Sequence, residues 1–254
     1  MSSRNSIQLA GLATALIITG VGLFGVFMQL EGGLISGRDL VFQLLLTSEG
    51  LFAVSVSLFL MLFFRSTPSP EVYFFILAIQ ACSFGALRPF IYALISSGSS
   101  YVLPAMLTRV FYFGRFLFIL SLFFSGLFAA GLALQRRAIM LSTTFFVSFI
   151  FAAIIPVDIS TYTNRLLFSV GAKESMFIGY FILSILSVGN FLIAALHQGN
   201  VSHYLIALGV LLAIAGKQLI FLSTSPLQIG AGLICSAAGA YLFGSRTHRI
   251  YLWL

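Results

Sequence analysis

Polar residues fall along this chain in short clusters, and the stretches between them are long and apolar. Runs at about 7–30, 40–64, 71–96, 104–134, 138–157, 176–196, 204–222 and 227–243 reach or approach the ~20 residues that a spanning helix needs. None alternates apolar and polar positions with the period of two that marks barrel strands. The pattern predicts an all-α fold: a polytopic transmembrane helical bundle of about eight spanning helices, forming one integral membrane domain over 1–254.

The breaks between runs carry helix punctuation. STPSP after Arg65 predicts a tight turn whose prolines end one helix and restart the next. SSGSSYVLP places Pro104 in the first turn of the fourth helix, and Gln135-Arg136-Arg137 stops it. The longest polar connection, DISTYTNRLLFSVGAKES, contains NRLLFSVG, which predicts a short interfacial helix. HQGNVSH and STSP separate the last three spans. The first run is longer than the apolar core of a signal peptide and ends in FMQLEGG, without an A-x-A site, so it is expected to be a retained helix. Gly11, Ala15 and Gly22 form a small-residue stripe that lets membrane helices approach closely.

Composition sharpens this picture. Hydrophobic residues make up 60% and charged residues 7%, far below the roughly one quarter charged of soluble domains. Mean hydropathy is +1.10. The net charge of +7 points to membrane topology, and no nucleic-acid partner is expected. Cys82 and Cys235 both fall in apolar runs, so neither a disulfide framework nor a thiolate metal site is indicated. With eight spans, one side of the membrane holds both termini and Arg4, Arg65, Arg136, Arg137, Arg246 and Arg249 against Glu71. The other holds Arg38, Arg165 and Lys173 against Glu31, Asp39, Asp158 and Glu174. Basic residues collect on the cytoplasmic side, so both termini are expected in the cytoplasm, with the chain in a bacterial inner (cytoplasmic) membrane.

Five charges lie inside the apolar runs: Glu49, Arg88, Arg109, Arg115 and Lys217. Such groups are costly at membrane depth and face a protein interior, a partner charge or a water-filled cavity. At ~1.5 Å of rise per residue, Glu49 lies roughly 12 Å, Arg88 about 10 Å and Lys217 about 8 Å below the outer surface. Counting back from Arg136 puts Arg115 at the outer boundary and Arg109 above it. Three helices thus carry charge at one level. The expected ligand-binding set is Arg88, Lys217 and Glu49 lining an outward pocket, Arg109 and Arg115 at its rim, and Tyr92 and Tyr112 supplying hydroxyls. Lys217 shares a stripe with Gly209, Ala213 and Gly216, and Arg88 one with Ala81, Gly85 and Tyr92, both marks of packed faces. Pro89 loosens the backbone beside Arg88. Arginine offers a bidentate fork and lysine a point charge, a pairing that suits a carboxylate, a phosphate or a lipid headgroup.

Function is bounded more than named. No nucleophile–base pair, P-loop or glycine-rich phosphate loop appears, and His197 and His203 have no carboxylates nearby, so no enzyme, cofactor or metal is expected. A retinal protein is disfavoured, because Lys217 is not in the last span and the only tryptophan is Trp253. The expected protein is a receptor-like or accessory bundle. It binds an anionic small molecule or lipid headgroup and acts through a separate signalling or transport protein. The alternative is a small-solute or anion transporter, against which the lack of ionisable groups in the inner half counts.

Overall fold

The computed structural model describes residues 3–33, 35, 37–65, 69–131, 137–171 and 173–252. Among these residues lie eight helices: α1 (Ser3–Glu31), α2 (Gly37–Phe63), α3 (Pro70–Ser96), α4 (Val102–Ala129), α5 (Arg137–Ile154), α6 (Lys173–Gln198), α7 (Val201–Leu222) and α8 (Pro226–Leu252). The fold is all-α apart from one hairpin between α5 and α6, made of β1 (Val157–Thr163) and β2 (Leu167–Val170). Seven of the helices are long and apolar enough to cross a membrane, which fits an integral multi-pass protein. The exception is α5, whose 18 residues reach about 27 Å at 1.5 Å per residue.

Local sequence sets the helix ends. Ser69 is extended at the N-cap of α3, and Pro70 follows where its missing N–H costs nothing. Asn200 caps α7 by accepting from the Ser202 amide at 3.0 Å. Gly98 and Gly199 adopt positive φ just past α3 and α6, the left-handed stop that spares a side chain a steric penalty. The fourth helix ends at Ala129, earlier than the apolar run predicts; Gln135 and Arg136 lie outside the described residues.

The bundle is built around α3, whose first half, Pro70–Ala81, is apolar and buried on nearly every side. Phe75 stacks on Phe243 of α8 at 3.6 Å between centroids, and Phe74 packs on Phe124 and Phe128 of α4. Small residues set the closest approaches. Gly22 and Gly25 of α1 lie against the backbone of Ala86 and Phe90, so the predicted α1 stripe is a helix contact. The α7–α8 pair also meets backbone to backbone. A Cβ on Gly209 would stand 2.8 Å from the Gly239 carbonyl oxygen, and one on Gly232 would stand 2.8 Å from that of Gly216.

Contacts fix the direction of each helix. Gln29 of α1 exchanges both amide hydrogen bonds with Gln43 of α2 at 2.8 Å, while Gly50 meets Thr19, so these two are antiparallel. On α4, Gly114 meets Phe84 and the Ser125 hydroxyl donates to the Glu71 carbonyl, antiparallel to α3. The α6 residues Tyr180 and Asn190 meet Arg115 and Gly126 of α4, so α4 and α6 are parallel and α5 carries the chain back between them. Tyr251 of α8 donates to the Glu71 carboxylate at 3.1 Å. The chain therefore crosses the bundle eight times, and α1 begins at the end where α8 finishes.

The hairpin replaces the predicted interfacial helix. VDISTYT is rich in β-branched and aromatic residues, which favour a pleated, half-buried surface over a helix. Val157 pairs with Val170 and Thr163 with Leu167, and three β1 residues bulge out between Asp158 and Tyr162. Asp158 closes the bulge by accepting from the Ser160 hydroxyl, the Thr161 hydroxyl and the Ser160 amide. Those hydrogen bonds, that of the Ser160 side chain first, hold its carboxyl below the usual range. All of β2 is buried, and Phe168 packs on Tyr101 and Tyr162. Burial raises the Tyr162 hydroxyl pKa.

Candidate functional site

Two groups of buried cations lie near the hairpin end. The first joins Glu49 of α2, Arg88 of α3 and Lys217 of α7, which are 1%, 1% and 5% exposed. Lys217 Nζ donates to Glu49 Oε1, and Arg88 Nη2 lies 3.6 Å from Glu49 Oε2. Lys217 also donates to the Cys82 carbonyl at 3.3 Å. The helical rise placed these three residues at one level, and the structure brings them into contact.

The backbone around the cluster is shaped to receive it. From Cys82 to Ala86, α3 tightens into a 3₁₀ turn. Pro89 has no N–H to give the carbonyl four residues back, that of Gly85, and Arg88 Nε donates there instead at 3.4 Å. Gly85 also lacks the Cβ that would overlap the Glu49 carboxylate. Arg88 Nη1 donates at 3.2 Å to the carbonyl of Ile220, one of the last carbonyls of α7. Those carbonyls have no intrahelical partner and form the negative end of the helix dipole. The second cation of the cluster is thus offset by carbonyl oxygens and by the Phe111 ring, 5.5 Å from Arg88 Cζ. The glycine stripe beside Lys217 packs on α8, whereas the amine itself faces α2 and α3.

The second group is different. Arg115 of α4 is 7% exposed, yet no described carboxylate pairs with it. Its Nη2 donates to Gln218 Oε1 at 2.8 Å, and its Cζ lies 3.3 Å from the Phe221 ring centroid and 4.4 Å from that of Tyr180. Arg115 forms part of the wall of a cavity of about 460 Å³ between α4, the hairpin, α6 and the end of α7. That volume lies in the range of small-molecule sites. Arg165 from the hairpin turn is half-buried on the same wall, its Cζ 5.2 Å from the same Phe221 ring. Lys173 and Glu174 stand exposed at the rim. The Tyr180 hydroxyl lies close to the Arg115 guanidinium but finds no hydrogen-bond geometry there or elsewhere.

Of the residues singled out from sequence, Arg115 and Tyr112 line this cavity. Glu49, Arg88 and Lys217 do not line it; Arg88 packs on Phe111, which stacks on Phe221 of the cavity wall at 6.1 Å. Tyr92 stacks on Tyr162 beneath the hairpin, and Arg109 is exposed; neither lines the cavity. Sequence reasoning missed Arg165, Lys173, Tyr180, Gln218 and Phe221 as site residues. The readable signal for Arg165 was the β-branched run preceding it. Among the described residues, no three of His, Cys, Asp and Glu gather as a metal site.

Comparison with protein-family models, with curated proteins and with solved structures gives no match. The functional reading rests on the residues themselves.

Proposed function

We propose that this chain is a receptor-like or accessory membrane protein whose outward-facing cationic pocket takes an anionic small molecule or lipid headgroup. All eight helices cross the bilayer in this reading. Both termini are cytoplasmic, the membrane is the bacterial inner membrane, and the hairpin faces outward. The arginine bias supports that orientation. The chain is not an enzyme by itself and passes ligand binding to a separate signalling or transport protein.

One observation carries the reading. Arg115 is buried at a cavity wall with one hydrogen bond to a neutral side chain and no carboxylate. A buried charge without a counter-charge is costly, and an anion in the cavity would relieve it. Native mass spectrometry of purified wild type and Arg115→Gln tests this. The wild type should retain an anionic adduct that the variant loses; equal retention by both would overturn the pocket.

The transporter reading draws on a separate observation, the 3₁₀ interruption of the central helix next to buried charges, since transporters place broken helices at their binding sites. Uptake of the retained anion by proteoliposomes, lost in Glu49→Gln, would favour transport over reception.

A further inference from the structure

The cavity also carries information about the shape of its occupant. Its cationic part is compact: Arg115 and Arg165 converge on one aromatic ring, at 3.3 and 5.2 Å from the Phe221 centroid. No described carboxylate pairs with either arginine, and Lys173 adds a third cation against Glu174 at the rim. An arginine offers five N–H donors, and Arg115 spends one of them on Gln218. Tyr180 also lines the cavity, with its hydroxyl buried beside the Arg115 guanidinium. Two guanidinium forks, with Lys173 at the rim, match a group with several acceptor oxygens and more than one negative charge. A phosphate monoester, at about −1.5 to −2 near neutral pH, is such a group.

The remainder of the lining is apolar, including Phe116, Phe168 and Met176. Two residues on that wall, Phe177 and Ile178, are also 50% and 56% exposed on the outer face of α6. That face continues in Phe181, Ile182 and Ile185, all exposed and all suited to lipid. The apolar side of the cavity therefore merges with the surface that meets acyl chains. A small hydrophilic anion would leave this wall unused, whereas an acyl or prenyl chain would cover it.

Building on the pocket reading above, we infer that the occupant is a phosphate-bearing amphiphile. It enters sideways from the outer leaflet past α6, with its phosphate on Arg115 and Arg165 and its chain along Phe177 and Ile178. The test is a native mass spectrometry titration of delipidated protein with three probes: dioleoyl phosphatidic acid, dioleoyl phosphatidylcholine and inorganic phosphate. Phosphatidic acid should bind at least about tenfold tighter than either other probe, and Arg115→Gln and Arg165→Gln should each weaken it by about tenfold. Arg109→Gln, at an exposed position outside the cavity, should leave it unchanged. Arg165 sits half-buried in a hairpin turn, so its variant keeps the test informative if Arg115→Gln folds poorly. Inorganic phosphate binding as tightly as phosphatidic acid, with the same arginine dependence, would overturn the amphiphile and leave the anion pocket standing. Phosphatidic acid binding no tighter than phosphatidylcholine, or unaffected by both variants, would overturn the amphiphile and the pocket together.

Discussion

The Glu49–Lys217–Arg88 cluster and the Arg115 site are joined by the stacked rings of Phe111 and Phe221, and they handle buried positive charge in opposite ways. In the cluster, the charged groups face one another: a carboxylate shared by two cations, the carbonyls of Cys82, Gly85 and Ile220, and an aromatic face, with Glu49 Oε2 held by charge rather than by a hydrogen bond. Arg115 has one amide oxygen and two rings, with space beside it. The difference separates charge that holds helices together from charge held ready for something else. Burial alone does not distinguish them, because both are almost wholly buried. The partners do.

The largest effect should come from breaking the cluster. Glu49→Gln leaves two buried cations without a carboxylate and should destabilise the protein by about 3–5 kcal/mol in detergent or bicelle unfolding. Glu49→Gln combined with Lys217→Met, and with Arg88→Met, should be non-additive; additivity within ~0.5 kcal/mol would mean that the residues do not share a site. Next in size is Gly85→Ala, whose methyl would displace the Glu49 carboxylate. It should cost about 1–3 kcal/mol, as overpacking does, and in an Glu49→Ala background much of that loss should vanish. Across Phe221 the same measurement should barely respond. Tyr180→Phe removes a buried hydroxyl that lies beside Arg115 without a well-formed hydrogen bond, so stability should stay within about 0.5 kcal/mol. A large loss of stability in Tyr180→Phe would erase the contrast between the two sites.

The smallest effect lies in the hairpin that roofs the cavity. The Asp158 carboxyl titrates below its unfolded value because Ser160 and Thr161 donate to its charged form. Its contribution is therefore present above the unfolded pKa, about 3.9, and lost as pH falls through the lower folded value. Amide exchange in β1 should be flat with pH, after correction for intrinsic rates, down to roughly 4 and should rise only below it. Asp158→Asn should remove that acid dependence.

How much of this was legible in the sequence follows from what sequence can measure. Helical rise is a ruler, and charges in apolar runs are sparse, so Glu49, Arg88 and Lys217 could be set at one level before their contact was seen. The ruler misled for Arg115. Counting from Arg136 extended the helix to 134, whereas α4 stops at Ala129, and the residue placed at the membrane boundary is walled in by Tyr180 and Phe221. Arg165 and Lys173 served only to orient the chain, because nothing local shows that β2 folds inward over α4 and α6. The rings that the hairpin packs on, Tyr92 and Tyr101, are distant in sequence. The stripe beside Lys217 is a packed face, as its small residues indicated, but its glycines meet α8 while the lysine, turned by about 100° per residue, faces α2 and α3.

The order of synthesis gives the cluster one further consequence. Lys217 follows Glu49 by 168 residues, so α7 emerges long after the carboxylate that will pair with its amine. At the moment of insertion that lysine stands alone, at a penalty below the roughly 2.5–3.5 kcal/mol of a cation at helix centre, because it lies nearer the helix end. Of the seven candidate spans, α7 has the highest mean hydropathy even with the lysine included. That surplus of apolar residues lets the helix partition into the bilayer before its partner is found, and the pairing with Glu49 then becomes a step of assembly within the membrane. A second charge elsewhere in α7 would consume the margin and leave the span stranded at the translocon, whatever the finished bundle could have accommodated.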